Sequence, residues 1–231
     1  MIKHIPNIIT LGNLTCGCMA IVAVFEGQMA LASYFVLAGA LFDFFDGLAA
    51  RMLGVTSPLG KDLDSLSDVV TFGVAPGCMM YYLLKLVSSA TVVPYLAFAI
   101  PVFAAYRLAK FNNDPRQSND FYGLPTPAAA LFFISFPLMF TFDRSIANSF
   151  VFETQFLLIC IGVVALLMVS DVRLFSLKIK RFSINEYRFP ILFMVISNVL
   201  FFILFFKAIP LIIILYVVLS VIKNLVDTHE V

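Results

Sequence analysis

Apolar residues fall into eight long runs, near 6–25, 30–50, 69–87, 92–111, 127–143, 150–169, 189–206 and 209–225. Each approaches the roughly 20 residues that a helix needs to cross the hydrocarbon core of a bilayer. The pattern predicts an all-α membrane protein, a polytopic bundle of about eight transmembrane helices. Lys207 and Pro210 leave only a tight connection in the last pair, so one re-entrant hairpin is the alternative there. The connections on one side are very short, about 26–29, 88–91 and 207–209. Those on the other side are longer and polar, at 51–68, 112–126 and 170–188. A protein with its polar mass on one face does its chemistry at that face. No repeat, low-complexity tract or long linker interrupts residues 1–231, which read as a single membrane domain.

Composition strengthens the membrane reading. The chain is 61% hydrophobic with 26 Phe and only 13% charged residues, against roughly 25% charge in an average soluble domain. Lipid must therefore be the solvent for much of the surface. A net charge of +1 provides no basic field for nucleic acid, and none is expected as a partner. Cys16, Cys18, Cys78 and Cys160 all lie in apolar runs without zinc-ligand spacing, and are expected to be buried, inert thiols. The first apolar run leads into further spans without a small-residue cleavage site, so no cleaved signal is expected.

Lysine and arginine set the orientation. With the N-terminus in the cytoplasm, Lys3, Arg51, Lys61, Arg107, Lys110, Arg116, Arg173, Lys178, Lys180, Arg181, Arg188 and Lys223 lie on or beside cytoplasmic segments. Only Lys85, Arg144 and Lys207 face outward, a split of 12 to 3 among the 15 cations. By the positive-inside rule the expected location is the cytoplasmic (inner) membrane, with the long polar loops facing the cytoplasm.

Four aspartates carry the chemistry. Asp43 and Asp46 are three apart at the cytoplasmic end of the second run; Asp64 and Asp68 are four apart at the start of the third. Both spacings place two carboxylates on one helical face. The short connection makes the two helices antiparallel neighbours, so the pairs can converge. Four carboxylates at membrane depth repel one another, and each ionised residue in a span costs ~3 kcal/mol on insertion scales. Divalent cations resolve that conflict. All-oxygen ligands favour Mg²⁺ or Mn²⁺ and admit Ca²⁺; two bridged ions are the usual device for displacement at phosphorus. Gly47 and Ala50 leave a bare helical face for close approach, Gly60 permits a turn near the next helix start, and Arg51 can fork onto a phosphate. Helix-end charge alone would account for Asp64 and Arg51 but not for Asp43 and Asp46.

Together, Asp43, Asp46, Gly47, Ala50, Arg51, Gly60, Asp64 and Asp68 reproduce D-x2-D-G-x2-A-R-x8-G-x3-D-x3-D. On these residues the chain resembles the CDP-alcohol phosphotransferases. The resemblance implies a six-helix core, here followed by two C-terminal helices, that binds a CDP-linked lipid through metal ions and transfers its phosphatidyl group to an alcohol, releasing CMP. It further implies two ions, with Asp43, Asp46, Asp64 and Asp68 as ligands and Asp68 also as general base. Gly47, Ala50 and Arg51 would line the cytidine and phosphate site, with Gly60 beside them. Pro6, Asn7 and Thr10 resemble a family P-N-x-x-T element near the nucleotide; the alternative is a proline-initiated, Asn- or Thr-capped helix start. Membrane lipid and a second copy of the chain, as a homodimer, are the expected partners besides substrates.

Three further stretches resemble the phosphatidylserine synthase branch: 63–76, 106–112 with Arg107 and Lys110, and 121–128 with Gly123, Pro125 and Pro127. They imply CDP-diacylglycerol and L-serine as substrates. Lys110 stands where that branch carries arginine and lacks the bidentate fork. Arg107 is the candidate for serine's carboxylate, the alternative being a side chain that snorkels to headgroups. Gly123 and the prolines either shape a pocket lip or open the fifth helix. A phosphorylated acceptor, glycerol 3-phosphate or inositol phosphate, would instead enlist Arg107, Lys110 and Arg116. A cation transporter is a third reading, disfavoured because the acids cluster at one interface without repeat symmetry.

Overall fold

A computed structural model describes residues 4–55, 57–114, 121–146, 148–175 and 188–229. Lys3, Arg116, Lys178, Lys180, Arg181 and most of the 173–181 basic run lie outside the described residues. Helix α1 spans Ile5–Phe25 and α2 spans Met29–Leu53. Next come α3 (Pro58–Asp68), a π-helical turn (Val69–Val74) and α4 (Ala75–Val87), joined as one run of 30 residues. A 3₁₀ segment (Val93–Phe98) opens α5 (Ala99–Asn113), followed by α6 (Thr126–Phe142) and α7 (Thr154–Val169). Finally come α8 (Arg188–Leu204) and α9 (Ala208–His229). Each expected span thus has its helix, and the chain is an integral, all-α membrane protein. By length and composition, Ile5–Phe25, Met29–Leu53, Pro58–Val87 and Arg188–Val226 are long enough to cross a membrane; α6 and α7 are shorter apolar helices.

The polar half of the third span is helical too, so Asp64 and Asp68 lie well inside a helix rather than at its start. Ser57 caps it: its hydroxyl accepts from Gly60 N at 3.0 Å, and Pro58 follows in the first turn. Gly54, at φ 62°, ends α2 in the left-handed conformation. The short connection that results sets α2 and α3 side by side.

Small residues set the spacing of the N-terminal helices. The buried positions of α1 include Thr10, Asn13, Gly17, Ala20 and Ala23, three or four apart, which draws one stripe along the helix. At Gly17 and Gly39 an added Cβ would lie 2.4 Å from Thr71 Oγ1 and 2.5 Å from Thr71 Cγ2. The π turn is therefore wedged between α1 and α2, in the close small-residue packing that membrane helices favour. Helix α6 is the central post, buried almost throughout from Ala129 to Met139. Its Phe133, with Met80, Leu83, Ile100, Leu157 and Ile161 around it, forms the larger core.

The C-terminal pair is a hairpin whose second arm, α9, packs against α6. Phe193 and Tyr216 face each other with ring centroids 5.5 Å apart. At the tip, Phe206 stacks on Phe142 at 5.2 Å and Lys207 pairs with Asp143, just past the end of α6. With 17 and 22 residues, the arms extend about 25 and 33 Å. Among described residues α8 buries only Pro190, which leaves most of its apolar surface open. The thiols are free but none is fully buried; Cys18 is exposed and the others are half-buried, a correction to the expectation. A lipid-facing position suits a thiol's polarity as well as a core does.

Candidate active site at the aspartate end of the bundle

Helix α2 delivers Asp43 and Asp46, and α3 delivers Asp64 and Asp68, from antiparallel neighbours. Carboxylate oxygens of Asp43, Asp64 and Asp68 all lie within 4.8 Å of one another. Asp46 stands beside them: its Oδ2 is buried without a hydrogen-bond partner, and the Thr10 hydroxyl lies next to its carboxylate. Asp46 and Asp68 are each only 6% exposed. Among the described residues none of the four forms an ion pair. Packed, hard oxygen donors with one orphaned buried oxygen and no paired cation are what a divalent ion would satisfy, so the residues present fit the metal that the resemblance implies.

A cavity of about 690 Å³ opens beside the cluster. Its walls hold Asp43, Asp46 and Asp64 together with Asn7, Thr10, Gly47, Ala50 and Gly60, as the motifs imply. Lys61, Val55, Ser57 and Pro58 line it as well, and sequence reasoning missed them. The position of Gly47 is bare: a Cβ there would meet nothing within 4 Å. Gly60 lies within α3 without positive φ, so it is not needed for a turn; instead a Cβ would come 3.1 Å from Asn7 Oδ1 and Ser57 Oγ. Neither Asn7 nor Thr10 caps α1, whose N-cap is His4 without a side-chain bond. Both line the cavity, and Thr10 donates to Pro6 O at 3.0 Å. Arg51 curls back, its Nε donating to Gly47 O at 2.9 Å, and does not line the cavity.

Neither Asp68 nor Arg107, which belongs to α5, lines that cavity. Arg107 is 5% exposed, its Nε has no partner, and its guanidinium lies 5.2 Å over the Phe111 ring. It therefore does not snorkel to headgroups, and Asp68 lies within its electrostatic reach. Lys110 is committed elsewhere, donating to Val169 O at 3.0 Å and pairing with Asp171 at 3.1 Å. That removes a cation from the phosphorylated-acceptor reading. Gly123 (φ 75°) donates to Val172 O and Leu124 N to Leu167 O, which seats the entrance of α6 against the end of α7.

A family model for CDP-alcohol phosphatidyltransferase matches residues 3–169, well over half the chain. The chain belongs to this family. It is similar to a CDP-diacylglycerol–serine O-phosphatidyltransferase of Bacillus subtilis, at 37% identity over 61% of this chain and 78% of that one. A protein of the same name from Helicobacter pylori is 29% identical over 82% of this chain and 79% of its own. An archaetidylserine synthase of Methanothermobacter thermautotrophicus is 34% identical over 58% of each chain. The family match ends at the close of α7, so the α8–α9 hairpin lies beyond it.

Proposed function

We propose that this family member transfers the phosphatidyl group of CDP-diacylglycerol to the hydroxyl of L-serine, giving phosphatidylserine and CMP. The reading rests on the convergence of Asp43, Asp64 and Asp68 within 4.8 Å at the edge of a cavity walled by Asn7, Thr10, Gly47, Ala50 and Gly60. The serine synthases among its relatives support the choice of acceptor.

Asp43, Asp46, Asp64 and Asp68 would hold two divalent ions, Mg²⁺ or Mn²⁺. When bound, such ions neutralise the diphosphate and stabilise charge on the transferring phosphoryl group and on departing CMP. The bare face at Gly47 and Ala50 admits the nucleotide, with Asn7, Thr10 and Gly60 lining the same cavity, and Arg51, on swinging away from Gly47 O, meets a phosphate. Asp68 takes the proton of the serine hydroxyl as its oxygen bonds to the phosphatidyl phosphorus. The bond from that phosphorus to the CMP oxygen breaks, and CMP leaves with the electron pair. Arg107, buried beside Asp68, holds serine's carboxylate away from the aspartates. The site faces the cytoplasm from the inner membrane, with the N-terminus on the same side, and the chain works as a homodimer.

The test is an acceptor screen on purified protein with CDP-diacylglycerol and Mn²⁺, reading CMP release. Serine should outpace glycerol 3-phosphate, inositol and inositol phosphate. EDTA should abolish release, and Mg²⁺ or Mn²⁺ should restore it. Faster turnover with glycerol 3-phosphate would remove the serine assignment, and full activity after metal stripping would remove the two-ion reading.

A further inference from the structure

Among the described residues, Asn13 is the one polar side chain that hydrogen-bonds Asp68, and no motif singled it out. It is fully buried on α1, and its Nδ2 donates to Asp68 Oδ1 at 3.2 Å. Its amide oxygen has no partner: it faces Gly39 of α2, where an added Cβ would lie 2.9 Å away. The reverse rotamer would set two acceptor oxygens face to face, so the donor belongs on Asp68. A buried amide oxygen without a donor costs stability, and an apolar residue would avoid that cost. The side chain at this position is therefore explained by what its other end does.

The neighbouring contacts hold Asn13 still. Thr71, in the π turn directly after Asp68, donates from Oγ1 to Asn13 O at 3.0 Å. Ser67 donates to Thr10 O at 3.2 Å one turn away. Gly17 and Gly39 clamp Thr71 between α1 and α2. Short π-helical turns recur at functional sites, where the extra residue re-aims a side chain.

We propose that Asn13 is a positioning residue that holds Asp68 Oδ1, leaving Oδ2 as the oxygen that receives the acceptor's proton. The proposal rests on the reading of Asp68 as general base. A carboxylate tethered at one oxygen cannot rotate to present either, so the Asn13 bond fixes the direction of proton transfer.

The experiment is a double-mutant cycle on the full-length, Mn²⁺-loaded protein, reading CMP release with serine. Asn13→Ala and the near-isosteric Asn13→Asp should each lower kcat by about tenfold to a hundredfold, the scale of one bond to a charged group. The KM values for serine and CDP-diacylglycerol should move by less than about threefold. In an Asp68→Asn background, itself slowed by roughly 10²–10⁴, adding Asn13→Ala should change turnover by less than about twofold, because the positioned group is gone. Thr71→Val, which keeps the packing against the glycines, is the second lever. It should slow turnover by about three- to tenfold, and only where Asp68 is intact. Equal losses in both backgrounds, or unchanged turnover in the Asn13 variants, would overturn the positioning role. Near-normal turnover in Asp68→Asn alone would instead remove the base on which it rests.

Discussion

Gly39 and Gly47 lie about two turns apart on α2, yet the structure asks opposite things of them. At Gly39 an added methyl would collide with Thr71 Cγ2 and crowd Asn13 Oδ1; at Gly47 it would meet nothing. Overpacking of this kind costs about 1–3 kcal/mol. Gly39→Ala should therefore lower the melting temperature in detergent and slow turnover, since the crowded atoms are those that hold Asp68. Gly47→Ala removes a helix-interior glycine, worth up to about 1 kcal/mol in propensity, and should melt at or above the parent. Its cost should appear in the KM for CDP-diacylglycerol, which an unchanged value would contradict. Arg107 makes a different demand. Its burial against Phe111 excludes a headgroup-seeking role, and a bidentate grip on a carboxylate needs the guanidinium plane. Arg107→Lys should weaken apparent serine affinity by about ten- to a hundredfold, from a loss of about 1.5–3 kcal/mol. Binding of CDP-diacylglycerol, followed separately, should be little changed. Unaltered serine kinetics would discard the fork.

Among the elements, the least legible from sequence is the small tie between loops. Strand β1 (Phe121–Tyr122) pairs antiparallel with β2 (Arg173–Leu174), two residues each, joining segments some 50 positions apart. Helix α9 holds β2 in turn through residues four apart: Tyr216 Oη donates to Phe175 O at 2.9 Å, Ser220 Oγ accepts from Phe175 N at 3.4 Å, and Asn224 donates to Arg173 O at 2.7 Å. The hairpin beyond the family match thereby braces the loop that seats Gly123. Gly123 has φ 75°, and a Cβ there would lie 2.4 Å from Met168 O. Gly123→Ala should lower the melting temperature by several degrees, since left-handed backbone costs a non-glycine residue about 1–2 kcal/mol before the clash is counted; an unshifted melt would show that this junction yields. Hydropathy located a helix at each of the eight expected positions because length and apolarity are local properties. It did not separate the buried α6 from the exposed α8, because in lipid both faces of a helix are apolar and periodicity loses its contrast. The π turn after Asp68 was equally hidden, being set by the wedge of Thr71 between two glycines rather than by local propensity. The four aspartates were legible because charge in a membrane span is expensive enough to mark function. Asn13 left a weaker trace: Asn7, Thr10 and Asn13 recur every third residue along a mostly apolar α1.

For the whole molecule, polarity is segregated between the two ends of the bundle. Lys61 donates to Asn112 O at 2.9 Å, and Lys110 reaches Asp171, so these cations gather at the aspartate end with Arg107 and Arg173. The opposite end offers Lys85 near the close of α4 and the Lys207–Asp143 pair at the hairpin tip. Lysine and arginine resist translocation more strongly than aspartate and glutamate do, so the positive-inside rule predicts that the end richer in cations stays in the cytoplasm despite its carboxylates. The consequence is functional, because a polar acceptor and departing CMP both exchange with the aqueous phase on that side. Exposed positions at the two ends make the orientation measurable. In a cysteine-free background, a cysteine replacing Asp62, beside the aspartates, should react with a membrane-impermeant thiol reagent only after the inner face is opened. A cysteine replacing Asn148, in the connection between α6 and α7, should react in intact cells. The reverse pattern would turn the active site outward and cut it off from cytoplasmic serine, whatever the geometry of the aspartates.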